Sequence, residues 1–281
     1  MARSVRTDTA TNRSRAIGDS AFMIDQLLRA CHPLPAAAVT VLSGALALGL
    51  GQRPTDAALA AATIGASQLS IGWANDAIDA CRDQAVGRTG KPLVRRPDLI
   101  GTVKIAALIA AAMTIGAAFA WGWPRGALVV LGLTAAQLYN WPLKATPASI
   151  VPYLICFAAL PAFLAPGTPL WLIAAAALLG GSAHLVNAIP DLADDAMTGV
   201  RGLPQRLGAK ASLMLASGLL IAATATLVVG ARPPWWAASA ALLSAASLPL
   251  IGRFAKAHTA FRAVIAVAAL DVVLLVVSGA S

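Results

Sequence analysis

The sequence predicts an all-α, polytopic membrane bundle of about nine transmembrane helices, with two Asp-rich motifs related by an internal repeat at its cytoplasmic face. Three observations predict it. The 281 residues are 58% apolar and only 12% charged, with a mean hydropathy of +0.75, far from the balance of a soluble domain. Nine apolar stretches approach the roughly 20 residues that cross a bilayer. Lys and Arg gather on alternate loops, as the cytoplasmic side of a membrane protein requires.

Taken in order, residues 1–25 are polar and Arg-rich, with no apolar run before a cleavage site, and are expected to form a flexible cytoplasmic tail. Residues 26–281 are expected to form the transmembrane domain. The first span, 34–50, carries Ser43, Gly44 and Gly49, small residues that let helices approach closely. The second, 57–75, follows Arg53 and runs into a segment holding Arg82, Arg88, Lys91, Arg95, Arg96 and Lys104. The third, 101–121, and fourth, 125–141, are joined at Pro124 and Arg125, and the fourth ends near Lys144. The fifth, 148–165, and sixth, 169–187, meet between Pro166 and Pro169, and the loop after the sixth holds Arg201, Arg206 and Lys210. The seventh, 210–230, and eighth, 235–251, flank Arg232, and the ninth, 261–279, follows Arg253, Lys256 and Arg262.

With the N-terminus inside, eighteen of the 21 Lys and Arg residues fall on inner segments, and only Arg53, Arg125 and Arg232 lie outside. The formal charge of +9 then reads as topology and attraction to anionic membrane lipids. No basic face with interleaved aromatics forms a domain of its own, so nucleic acid is not an expected partner. Cys31, Cys81 and Cys156 are scattered without a CxxC pair, which argues against a disulfide framework and a zinc site.

The charge that remains is concentrated. NDAIDACRDQAVGRTGKP, residues 75–92, aligns at an offset of 112 with NAIPDLADDAMTGVRGLP, residues 187–204. Six positions coincide: Asn75 with Asn187, Asp79 with Asp191, Asp83 with Asp195, Gly87 with Gly199, Gly90 with Gly202, and Pro92 with Pro204. A shared pattern of that length indicates internal duplication. Both copies follow an outside-to-inside helix, so the two units run in parallel, unlike the inverted repeats of many transporters.

Residues four apart share a helix face, so Asn75, Asp79 and Asp83 form an oxygen-bearing stripe with Asp76 beside it, and Asn187, Asp191 and Asp195 repeat it beside Asp194. Six of the twelve acids sit here. Carboxylates crowded at a membrane interface either protonate or hold cations. Two facing stripes suit Mg²⁺, which takes one or two carboxylates and fills its shell with water and phosphate oxygens, so a diphosphate ligand is expected. Arg82, Arg88, Lys91, Arg201 and Arg206 are available to grip its remaining oxygens. Helix capping is the competing explanation. It needs one acceptor at a helix start, whereas both stripes lie toward C-termini, where the macrodipole disfavours anions. A transporter of cations or of a phosphorylated lipid also stays open, although the outer half is nearly free of charge apart from Asp56, Asp271 and three Arg.

The first motif matches in full the NDxxDxxxD of the UbiA superfamily of intramembrane prenyltransferases, through Asn75, Asp76, Asp79 and Asp83. Asp191 and Asp195 match its second motif, DxxxD, and the predicted layout resembles the family's bundle from about residue 25 onward. The resemblance implies an enzyme that transfers an alkyl group other than methyl. Mg²⁺, held by Asn75, Asp76, Asp79, Asp83, Asp191, Asp194 and Asp195, would bind an isoprenyl diphosphate, and a lipophilic acceptor would capture the allylic cation. Asp76, Asp79, Asp191 and Lys144 are the implied catalytic groups. Arg29, Arg82, Lys91, Tyr139, Lys144, Asn187 and Arg201 are the implied substrate contacts. Tyr139 and Lys144 stand in LYNWPLK, one residue further apart than the family's common YxxxK, and Arg29 precedes HP in LLRACHP. A terpene cyclase on the same scaffold would use the same aspartates. Trp73, Tyr139, Trp141, Tyr153 and Phe157 are candidates to face a carbocation. His184 is a candidate base, and Asp271 is an ionisable group within a span.

Overall fold

Proline marks where helices begin: it stands in the first turn of six of those below, where its missing N–H has no partner to lose. The computed structural model describes residues 22–254 and 257–278, so residues 1–21 of the expected tail, and Lys256, lie outside the described residues. Helix α1 (Phe22–Ala30) takes in the tail's last four positions. There follow α2 (Pro33–Gly49), α3 (Pro54–Ala85), α4 (Pro92–Arg95), α5 (Ile100–Ala120), α6 (Arg125–Asn140), α7 (Val151–Leu164), α8 (Leu170–Ala188), α9 (Leu192–Met197), α10 (Leu203–Ala231), α11 (Trp235–Ala246), α12 (Leu248–Phe254) and α13 (Ala257–Ser278). No strand occurs among the described residues.

Each of the nine expected spans is occupied by helix. Seven helical segments are long and apolar enough to cross a membrane, and α1 with α2, bent by 71° at their break, make an eighth. The expected span 125–141 is α6, which at 16 residues falls short of the roughly 20 required. The count of nine is therefore not reached by length and composition. The molecule is an integral membrane protein.

Helices α2, α3, α6, α7, α8 and α13 form a ring in which each element packs on its neighbour, and α13 closes it against α2. Helix α5 packs outside α3, and α10 outside α8. At one end the ring is filled by a packed cluster that includes Ala47, Ile64, Val129, Phe163, Leu172 and Leu275. Toward the other end it encloses a chamber. At 32 residues α3 is about 48 Å long, more than a bilayer's roughly 30 Å hydrocarbon thickness, and its C-terminal third bears the first Asp-rich motif.

The duplication is visible in the backbone. Gly87 and Gly199 both take positive φ, 69° and 76°, and the N–H that follows each reaches back to the aligned aspartate: Arg88 N to Asp83 O, and Val200 N to Asp195 O, both 2.9 Å. This is the helix-ending bond of a Schellman turn, which favours glycine. One expectation needs correction. The second stripe does not lie on one continuous helix: α8 ends at Ala188, residues Ile189–Asp191 form a 3₁₀ turn, and α9 carries Asp194 and Asp195. Pro190 supplies no N–H for the α-helical ladder at that point, which accounts for the break.

Candidate active site

The two motifs meet at a small cleft lined by Asp79, Arg82, Asp83, Arg88, Asp194 and Asp195. Its volume of about 10 Å³ is near that of a single water or ion. Asp76, Asp79, Asp83 and Asp195 are buried, each less than one-tenth exposed, and every carboxylate around the cleft has a polar partner. Asp79 accepts from Arg82 and Lys144 on separate oxygens. Arg88 donates to Asp83 at 3.3 Å, Asp191 at 2.7 Å and Asp194 at 2.6 Å. Gln205 donates to Asp195 at 2.6 Å. Asp76 turns aside: its Oδ1 is 2.5 Å from Lys91 Nζ and 3.0 Å from His32 Nε2, and its Oδ2 is buried without a partner. Burial opposes the charge of the Arg88 guanidinium, but the Asp194 hydrogen bond and the charges of Asp191 and Asp83 outweigh it and hold its pKa above the ordinary arginine value.

Local packing explains how these groups converge. A Cβ on Gly72 would lie 2.3 Å from the Cys31 carbonyl oxygen, so glycine lets the break between α1 and α2 touch α3 and sets His32 beside Asp76. Asn140, buried at the end of α6, donates to the Ile71 carbonyl at 3.0 Å and accepts from Asn75 at 3.1 Å, which fixes α6 and the Lys144 turn against the first motif.

Of the expected ligands, Asn75 is thus engaged by Asn140, and the six aspartates by cations or Gln205. No three acidic, His or Cys side chains among the described residues are poised to hold a metal as they stand. The chemistry nonetheless fits Mg²⁺. The acceptors are all oxygen, five carboxylates pair with four cations (Arg82, Arg88, Lys91 and Lys144) while Asp195 takes Gln205, and one buried carboxylate oxygen has no partner.

The expected substrate contacts divide. Arg82, Lys91 and Lys144 lie in the cluster. Arg29 lies apart, 60% exposed and paired with Asp25 at 2.9 Å, and Arg201 is exposed, with its carbonyl accepting from Arg206. Tyr139 and Asn187 line the chamber, a mostly apolar cavity of about 210 Å³. Tyr139 stands edge-on to Tyr153, ring centroids 5.1 Å apart. Tyr153 and Phe157 also line the chamber, whereas Trp73 donates to the Leu27 carbonyl and Trp141 is 71% exposed. His184 is buried outside the chamber lining, with Nε2 3.1 Å from Ser149 Oγ. His32, Asn140 and Gln205 carry no signal of their own in the sequence. Each is a common polar residue at a helix end, and only the fold brings it to an aspartate or its neighbour.

The model of the UbiA prenyltransferase family matches residues 36–274. Among solved structures, the fold is similar to that of a UbiA homolog from Archaeoglobus fulgidus bound to GPP and Mg²⁺, with 17% identity, 90% of this chain and 99% of that chain covered, and a TM-score of 0.69. A UbiA homolog from Aeropyrum pernix K1 in its apo form is 19% identical, with 83% and 94% covered and a TM-score of 0.67. A structure of digeranylgeranylglyceryl phosphate synthase is 13% identical, with 92% and 99% covered and a TM-score of 0.66. No curated protein sequence matches the chain significantly.

Proposed function

The chain belongs to the UbiA prenyltransferase family, and from that premise we propose that it is a Mg²⁺-dependent enzyme moving an isoprenyl group from an isoprenyl diphosphate to an aromatic or other lipophilic acceptor. The N-terminus and the Asp-bearing end face the cytoplasm in this reading, with residues 26–281 as the transferase domain behind a 1–25 tail. The observation that carries it is one adjacency: beside the cleft of carboxylates and cations lies an apolar chamber whose lining reaches Ile71 and Asn187, one helical turn before Asn75 and Asp191. A ligand with a diphosphate head and a hydrocarbon tail matches both halves. The Archaeoglobus fulgidus homolog bound to GPP and Mg²⁺ supports the same pairing.

Asp76, Asp79, Asp83, Asp191, Asp194 and Asp195, with Asn75, would hold the metal. When bound, Mg²⁺ supplies charge that stabilises the departing diphosphate. Because Lys144 and Arg82 both bond Asp79, a turn of Asp79 toward metal frees both cations for phosphate oxygens. Lys91 and Arg201 would add contacts, and Arg29 would join them only by leaving Asp25. The Tyr139 ring at the chamber wall can face an allylic cation, Asn187 offers a polar group beside it, and the apolar lining keeps water from quenching the cation.

The test is diphosphate release from C10, C15, C20 and longer isoprenyl diphosphates by the purified membrane protein, with and without Mg²⁺, beside the double variant Asp79→Ala/Asp191→Ala. Release that needs both Mg²⁺ and the aspartates is expected. A cyclised product formed without acceptor would make the protein a terpene cyclase. No release at any chain length, even with acceptors present, would overturn the enzyme reading in favour of transport.

A further inference from the structure

We propose that Phe163 sets the length of the prenyl chain this protein accepts, by closing the chamber with a wall that cannot yield. The inference rests on the reading of the chamber as the site of the hydrocarbon tail. The chamber runs from Tyr139 and Asn187 toward the packed end of the bundle, and Ile64, Val129 and Phe163 belong both to its lining and to the packed cluster. Thr63, beside Ile64, lies about 20 Å along α3 from Asp76.

Three interactions make the Phe163 wall stiff. Its ring meets Trp121 edge-on, centroids 5.3 Å apart and planes at 87°. Trp121 is itself tethered by a 3.1 Å hydrogen bond from Nε1 to Thr63 Oγ1. The Arg125 guanidinium then stacks 4.3 Å from the Trp121 ring centroid and 5.5 Å from that of Phe163. The same guanidinium donates to the carbonyls of Phe163 at 2.8 Å and Leu164 at 3.0 Å, capping the C-terminus of α7. Backbone and ring of Phe163 are therefore both fixed, and the side chain is 1% exposed.

Size then gives the ligand class. A dry cavity of about 150 Å³ accepts benzene, so the chamber's roughly 210 Å³ suits a tail on the order of ten carbons, two isoprene units.

The experiment compares C5, C10, C15 and C20 diphosphates on the full-length protein with Mg²⁺. It reads both release rates and thermal protection by non-hydrolysable analogues of each length. The variants are Phe163→Ala, Phe163→Leu in case the first does not fold, and Leu172→Ala. Leu172 shares the packed cluster but not the chamber lining, so its variant loosens the same core without moving the wall. Wild type should favour C10 over C20 by at least about tenfold, and the Phe163 variants should shift that ratio toward the longer chains by about tenfold or more, while Leu172→Ala leaves it in place. An unchanged ratio in the Phe163 variants, or an equal shift in Leu172→Ala, would overturn the inference while leaving the enzyme reading intact. Wild type that neither releases diphosphate from nor is protected by any chain length would overturn both.

Discussion

Arg88 reaches from the first repeat to Asp194 in the second, its Nε donating to Oδ2 at 2.6 Å. The Schellman turn at Gly87 aims it there: the same turn at Gly199 presents Val200, which is buried. One cation thus holds together carboxylates of both motifs where a metal would otherwise do so. Arg88→Ala should therefore lower stability without metal by about 1–2 kcal/mol, less than a fully buried pair would lose because Asp191 and Asp194 are partly in water. Added Mg²⁺ should raise the variant's Tm more than it raises that of wild type. Thermal denaturation across a Mg²⁺ titration checks this, and equal shifts in both proteins would rule out competition between Arg88 and metal.

Lys144 bonds the Asp79 oxygen that Arg82 leaves free. If the amine moves to the diphosphate as the reaction proceeds, Lys144→Met should slow diphosphate release by about a hundredfold, equivalent to about 2.7 kcal/mol. Lys144→Arg should recover part of the rate, since charge is kept while the point-like ammonium is lost. Steady-state kinetics of both variants decide it. A rate in Lys144→Met within threefold of wild type would remove Lys144 from the chemistry.

Gly72 has no room for a side chain, and the residue it would displace is Cys31, next to His32. Gly72→Ala should push the break between α1 and α2 away from α3, separating His32 from Asp76. The expected result is a stability loss of about 1–3 kcal/mol from overpacking together with weaker Mg²⁺ binding. His32→Ala, which leaves the backbone in place, should change stability far less. Denaturation midpoints and Mg²⁺ titrations on the two variants separate backbone crowding from the lost hydrogen bond.

Much of this molecule was legible in its sequence, for physical reasons that differ by region. A bilayer demands long apolar helices, so the spans announce themselves. The N-x3-D-x3-D-x3-G pattern exposed the repeat because each glycine answers a backbone requirement at Gly87 and Gly199. The break at Pro190 was also readable, yet the matched spacing of Asp79/Asp83 and Asp191/Asp195 masked it. What stayed hidden is contact across long separations. That Asp76 turns to His32, 44 positions away, and that Arg88 chooses Asp194, 106 away, are decided by helix packing. No local pattern encodes it. Arg29, implied as a substrate contact by resemblance, is exposed on α1 and pairs with Asp25.

Asp271 is a buried acid that lies outside the linings of both the chamber and the cleft. It sits within α13, 5% exposed, with Oδ2 accepting from Thr224 Oγ1 at 3.0 Å and Oδ1 buried without a partner. Removing one member of such a pair leaves the other unsatisfied, while replacing both with apolar groups removes the penalty. Thr224→Val and Asp271→Leu should therefore each destabilise the protein by about 1–3 kcal/mol, and the double variant should recover most of either loss. Diphosphate release should stay within about twofold of wild type in Asp271→Leu, because no atom of that residue reaches the site. A double-mutant cycle in Tm, run beside the release assay, measures each term. Loss of release in a fully folded Asp271→Leu protein would instead tie this aspartate to function through the α10–α13 contact.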